Sequence, residues 1–149
     1  MTEPAANDSL QYSSPDIEKS AEKNSLKRMI AAPLLSLLSW AVPGLGHALL
    51  GKWGRGLALF ATVAGLAVAG YWMRGEVFAP HSPDPFGTLG FLADSGSGIF
   101  YYMARLIEPA GADVSRAAGD YGTRFIAAAG VVNWIGVFDV FEIAMGRRA

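Results

Sequence analysis

From Met29 to Gly51 the chain carries no Asp, Glu, Lys or Arg, and from Gly56 to Met73 it again carries none. A helix on the surface of a water-soluble domain keeps a polar face. These stretches lack one, so lipid solvates them better than water does. Segment A, Met29–Leu50, holds Leu34, Leu35, Leu37, Leu38, Trp40 and Leu45, with Pro43-Gly44 in its second half. In water such a pair ends a helix, and in a membrane the freed backbone groups need partners inside the protein. A kinked span is expected, with a re-entrant pair of half-helices as the alternative. A Gly-rich turn with Lys52, Trp53 and Arg55 follows, suited to the headgroup level.

Segment B, Leu57–Met73, would rise about 26 Å as a helix, just short of a hydrocarbon core of about 30 Å. Tyr71, Trp72 and Arg74 close it with interfacial anchors. Ala61, Gly65 and Ala69 recur on one face. Such a small-residue stripe lets another helix backbone come close, and segment A is the expected partner. Residues 75–87 contain Pro80, Pro83 and Pro85 and read as a loop. Segment C, Thr88–Ile107, is apolar but interrupted by Asp94-Ser95-Gly96-Ser97-Gly98. An uncompensated Asp at mid-bilayer is costly, so two short half-buried helices fit as well as one span. Segment D, Tyr121–Gly146, reads as a helix through Ile126, Val131, Trp134, Ile135, Phe138 and Ile143, with Arg147-Arg148 as a basic stop.

The pattern divides the chain into a polar, largely disordered tail at 1–28 and one helical membrane domain at 29–149. A short surface helix over Pro15–Met29 is an alternative for the tail, with Ser14 as cap and Pro15 in its first turn. The polar start, Met1-Thr2-Glu3-Pro4, is unlike a cleaved signal peptide. The fold class expected is an all-α membrane protein: a helical hairpin plus a C-terminal transmembrane helix, with two to four spans. Lys19, Lys23, Lys27 and Arg28 precede the first apolar segment, and Arg147 and Arg148 follow the last. The positive-inside rule then puts both termini in the cytoplasm, so the number of spans is even.

Composition sharpens this picture by exclusion. Apolar residues make up 52% of the chain and charged ones only 17%, against roughly 25% in an ordinary soluble domain. A net charge of −1 supplies no basic field for nucleic acid. The absence of cysteine removes disulfides, thiolate metal sites and a Cys nucleophile.

Polar groups inside the apolar segments are the candidates for a role. Asp139 and Glu142 lie about one turn apart near the basic end of D; intramembrane carboxylates are functional candidates. Asp139 is expected to face inward, Glu142 to sit at the interface. Asn133, midway along D, is expected to bond across to a neighbouring helix. His47 follows the Pro43-Gly44 break, where an imidazole satisfies an exposed carbonyl or binds a carboxylate on D. The other histidine, His81, lies in a separate loop, so no metal site is expected. Asp94–Gly98 lacks the G-x-S-x-G order of a nucleophile elbow, and the glycines at 44–56 lack that of a phosphate loop. No catalytic set and no cofactor are expected.

The run Pro43-Gly44-Leu45-Gly46-His47 through Gly51-Lys52-Trp53-Gly54-Arg55-Gly56 resembles the hairpin domain with two transmembrane helices, although Ala48, Leu49 and Leu50 stand where aromatic residues are usual. Ala129-Gly130-Val131-Val132-Asn133, then Asp139, Glu142-Ile143-Ala144 and Gly146-Arg147, is similar to the carboxyl end of a family of uncharacterised bacterial membrane proteins that also has a Pro-Gly-x-Gly-His segment. That resemblance covers residues 31–148. It implies a bacterial membrane setting and marks His47, Asn133 and Asp139 as matched positions. It carries no activity. The expectation is a non-enzymatic structural or interaction subunit of the inner membrane, with lipid and a second copy or another membrane protein as partners. The alternative is a small transporter or channel component.

Overall fold

The computed structural model describes residues 15–81, 84–107 and 117–148. They form six helices: α1 (Pro15–Ala41), α2 (Leu45–Leu49), α3 (Trp53–Trp72), α4 (Pro85–Ser95), α5 (Ile99–Ile107) and α6 (Ala117–Ala144). No strand occurs among the described residues. Of these helices, α3 and α6 are long and apolar enough to cross a membrane.

The two long helices lie antiparallel along each other. Leu59 packs at Gly136, and Gly70 packs at Gly122 and Ile126. A Cβ on Gly70 would sit 2.6 Å from the Gly122 carbonyl oxygen, so the backbones touch there. The buried face of α3 is therefore Gly56, Val63 and Gly70. The expected stripe of Ala61, Gly65 and Ala69 does not form this contact: Ala61 and Gly65 are exposed, and a Cβ on Gly65 would meet nothing within 4 Å. The main partner of α3 is α6; segment A meets α3 through Gly44 and α2, around Gly56. Both faces of α3 offer small residues, and the glycines of α6 select one of them.

Segment A does not continue as a kinked rod. Helix α1 runs antiparallel to α6, from Arg28 beside Gly146 to Trp40 beside Asn133, about halfway along α6. The chain then reverses. Gly46 lies back against Leu35, Ser39 and Val140, and His47 reaches Asp139. Gly44 makes the reversal at φ 80°, in the left-handed region that favours glycine. A Cβ there would also strike the Gly56 carbonyl, 2.1 Å away. The kinked rod is thus replaced by two helices of which the second turns back along the first.

Segment C makes a second reversal from the opposite end. The chain leaves α3 where the Glu76 amide donates to Thr123 Oγ1, at 2.8 Å. Residues 93–97 reach the level of Gly130–Trp134. Helix α5 returns, bringing the Ile107 carbonyl to the Tyr71 hydroxyl at 3.2 Å. Pro85 sits in the first turn of α4 after an extended Asp84, as that position tolerates. Val77, Tyr101 and Ile126 form a small core under this hairpin.

Residues 15–28 are the first half of α1, which agrees with the alternative of a helix from Pro15 and replaces disorder for that part of the tail. Neither glycine nor proline interrupts Pro15 to Pro33. Once the apolar half of α1 is helical, adding turns avoids the nucleation cost. Residues 1–14, including the Ser14 cap, lie outside the described residues.

Candidate functional site

The reversal after Pro43-Gly44 places the five-residue α2 against α6, and this carries His47 to Asp139. His47 Nε2 lies 3.0 Å from Asp139 Oδ2. The imidazole is buried, with its side chain 4% exposed, whereas Asp139 retains 24%. Arg148, just past the end of α6, donates from Nη1 to Asp139 Oδ1 at 3.2 Å. Its Nε lies 2.9 Å from Glu142 Oε2. Arg55, in the first turns of α3, brings Nη1 to 3.9 Å from Asp139 Oδ2. One carboxylate thus collects groups from α2, α3 and the end of α6. The His47 contact is the strong one, since it is sheltered and charge-assisted. The two arginines are more than half exposed, so their pairing contributes less than about 1 kcal/mol each.

A cleft of about 580 Å³ opens between α3 and α6 beside this cluster. Its walls include Ala58, Leu59, Val132, Ile135 and Phe138; His47, Arg55, Asp139, Glu142 and Arg148 also line it. It is apolar along its length and charged at one end. The second imidazole nitrogen, Nδ1, is buried and finds no hydrogen-bond partner. As arranged, the pair tethers α2 to α6. Among the described residues, no group of three or more His, Asp or Glu is placed to hold a metal.

Asn133 stands apart from this cluster, about 9 Å nearer the middle of α6. Its Nδ2 donates to the Trp40 carbonyl at 3.2 Å and to the Gly96 carbonyl at 2.8 Å. It therefore joins the tips of the two hairpins. Trp40 Nε1 donates to the Ser95 carbonyl at 3.0 Å, a second link between the same tips. Gly98, at φ 61°, presses on α1: a Cβ there would lie 2.0 Å from the Trp40 carbonyl oxygen. Carbonyls released where helices end are satisfied by side-chain donors, as burial demands.

The structure brings His47 and Asp139 together and leaves Asn133 at a different level. It also uses residues that were not among the site candidates. Asp94 is fully buried, and its Oδ2 accepts from the Phe78 amide at 2.9 Å. One of its two oxygens is met by a backbone donor from the preceding loop, which no spacing announces, and Oδ1 is buried without a hydrogen-bond partner. Trp40 read as a bulky apolar residue, yet its carbonyl and indole both bind. Arg55 read as an interfacial cation, and only the α2 reversal aims it at Asp139. Arg124 pairs with Asp120 at 2.8 Å one turn away, as i,i+4 spacing allows.

A model of a family of unknown function, DUF6677, matches residues 34–149, which takes in the end of α1 and all of α2 to α6. The chain belongs to that family. No curated protein and no solved structure matches it. The matched region of this DUF6677 member begins within α1 and contains all three of His47, Asn133 and Asp139.

Proposed function

We propose that this DUF6677 protein is a non-enzymatic, multi-pass subunit of the bacterial inner membrane. In this reading α3 and α6 span, and both termini are cytoplasmic. One observation carries it: only 17% of the most apolar stretch of α3 and 39% of that of α6 is buried. The core helix of a soluble domain is mostly buried, because its apolar side chains have to leave water. Here Leu57, Val68, Trp72, Val131, Ile135 and Phe138 all face outward, which suits lipid. The two reversals then become re-entrant hairpins from opposite leaflets. Their irregular backbone at depth is covered by protein, as a bilayer requires. Arg28, Arg55, Arg147 and Arg148 cluster at one end with the Lys-rich start of α1, which supports a cytoplasmic assignment for that end.

The role is structural: to hold a second copy or another membrane protein. The tightly packed meeting of the hairpin tips supports a static scaffold, since backbone touches backbone at Gly98 and Gly130. A transporter or channel component is the second reading. It is favoured by the position of that meeting, because broken helices in transporters place their sites near the midplane. It requires the tips to separate.

The chain has no cysteine, so single thiols report cleanly. In sealed vesicles, Trp53→Cys is expected to label from the cytoplasmic side, and Asp84→Cys and Asp120→Cys from the other. Labelling of position 53 from outside would make segment A a full span and defeat the two-span topology. A strictly monomeric, partnerless protein after mild detergent extraction counts against the scaffold. Flux in proteoliposomes that Asp139→Asn abolishes would favour the second reading.

A further inference from the structure

The cleft beside Asp139 is amphipathic in one direction only. Leu59, Val132, Ile135 and Phe138 make its walls apolar, and the Thr62 hydroxyl is already turned to the Ala58 carbonyl at 2.8 Å. At its charged end, Arg148 is committed to two carboxylates. Arg55 is not: its nearest carboxylate oxygen is 3.9 Å away, and its side chain is 56% exposed. Within the cleft Arg55 and Arg148 balance Asp139 and Glu142, and the chain adds Lys52 three residues before Arg55 and Arg147 directly before Arg148. Beneath them, buried His47 holds Asp139, and Asp139 holds the Arg148 guanidinium in place. A planar guanidinium with unused donors suits a phosphate, which it binds through two parallel hydrogen bonds. A volume of about 580 Å³ far exceeds what a bare phosphate fills and matches sites for larger ligands.

We propose that this cleft seats an anionic phospholipid of the cytoplasmic leaflet. The phosphodiester sits at Arg55 and the outer edge of Arg148, and one acyl chain lies along the groove between α3 and α6. Basic pockets between helices on the cytoplasmic side bind anionic headgroups by this combination of charge and apolar wall. The proposal rests on the membrane reading above.

The test uses the full chain purified in a mild non-ionic detergent, with thermal unfolding followed as probes are added. Dioleoyl phosphatidylglycerol is expected to raise the midpoint, and dioleoylglycerol, with the same chains and no phosphate, is not. Inorganic phosphate is expected to have no effect at millimolar concentration. Arg55→Gln should weaken the phosphatidylglycerol response roughly tenfold in concentration, the loss of one charge-assisted contact. Thr62→Trp, which fills the groove without touching the charged end, should weaken it as well. Equal responses to the two lipids, or an unchanged response in Arg55→Gln, would overturn the headgroup site. A response to inorganic phosphate alone would make it an ion site and reject the lipid. An unchanged response in Thr62→Trp would remove the chain from the groove. Carbonate washing of the native membranes separates this from the parent reading. A protein released by carbonate defeats membrane insertion itself, whereas a retained protein indifferent to headgroup defeats only the lipid site.

Discussion

The two hairpins reach the middle of α6 from opposite ends, and they are secured by different forces. The first, α1–α2, is fastened near its base by side-chain charge. His47, Arg55 and Arg148 gather on Asp139, close to an exposed end of the bundle. The second, α4–α5, is fastened at its tip by buried polar groups. Asp94 accepts a backbone amide, Asn133 donates to the Gly96 carbonyl, and Gly98 lies on the end of α1. The difference follows from where each fastening lies. Near solvent, ion pairs are cheap to form and easily screened. Deep in the bundle every polar atom needs a partner, and hydrogen bonds with close backbone contact replace charge. The first hairpin should therefore respond to salt, and the second to geometry.

The largest expected effect is at the tip. Gly98→Ala adds a Cβ that would lie 2.0 Å from the Trp40 carbonyl oxygen, at φ 61°. It should destabilise by more than about 4 kcal/mol, enough to prevent recovery of folded protein. Gly51→Ala is the control, because Gly51 has φ 76° but nothing within 4 Å. It should cost only about 1 kcal/mol from backbone conformation. Equal losses in thermal unfolding would mean that the hairpin tips do not touch. Next comes Asn133→Leu, which leaves the Trp40 and Gly96 carbonyls without their donor. A cost of roughly 1–3 kcal/mol is expected, and added salt should not change it. The smallest effect is Asp139→Asn, which keeps the shape and removes the charge. It should cost about 1 kcal/mol, and 1 M salt should remove the share owed to exposed Arg55 and Arg148 while sparing that of sheltered His47. A loss wholly unaffected by 1 M salt would show that the two fastenings do not differ in kind.

Much of the helical framework was legible in the residues. The apolar segments B and D correspond to α3 and α6, and Pro43-Gly44 and Asp94–Gly98 mark real breaks. What followed each break was not legible. A proline and a glycine stop one helix, but they do not say whether the next continues or turns back. The face on which α3 packs was hidden for a similar reason. Gly56, Val63 and Gly70 are no more apolar or small than Ala61, Gly65 and Ala69, and the choice lies with Gly122 and Gly136 on another helix. The first half of α1 was legible only as one of two alternatives, the helix over Pro15–Met29, because polar composition describes what a stretch can bury and not what it can extend.

The sequence by itself determined that this is a helical chain with two long apolar helices, two interrupted segments and polar groups at His47, Asn133 and Asp139. Composition and periodicity act within a few turns, and those features are local. Only the tertiary structure decided that both interrupted segments turn back, that their tips meet at Asn133, and that Asp139 draws His47, Arg55 and Arg148 together. Those outcomes depend on hydrogen bonds and backbone contacts between residues far apart in the chain. Their partners are chosen by packing, which no stretch of sequence specifies alone.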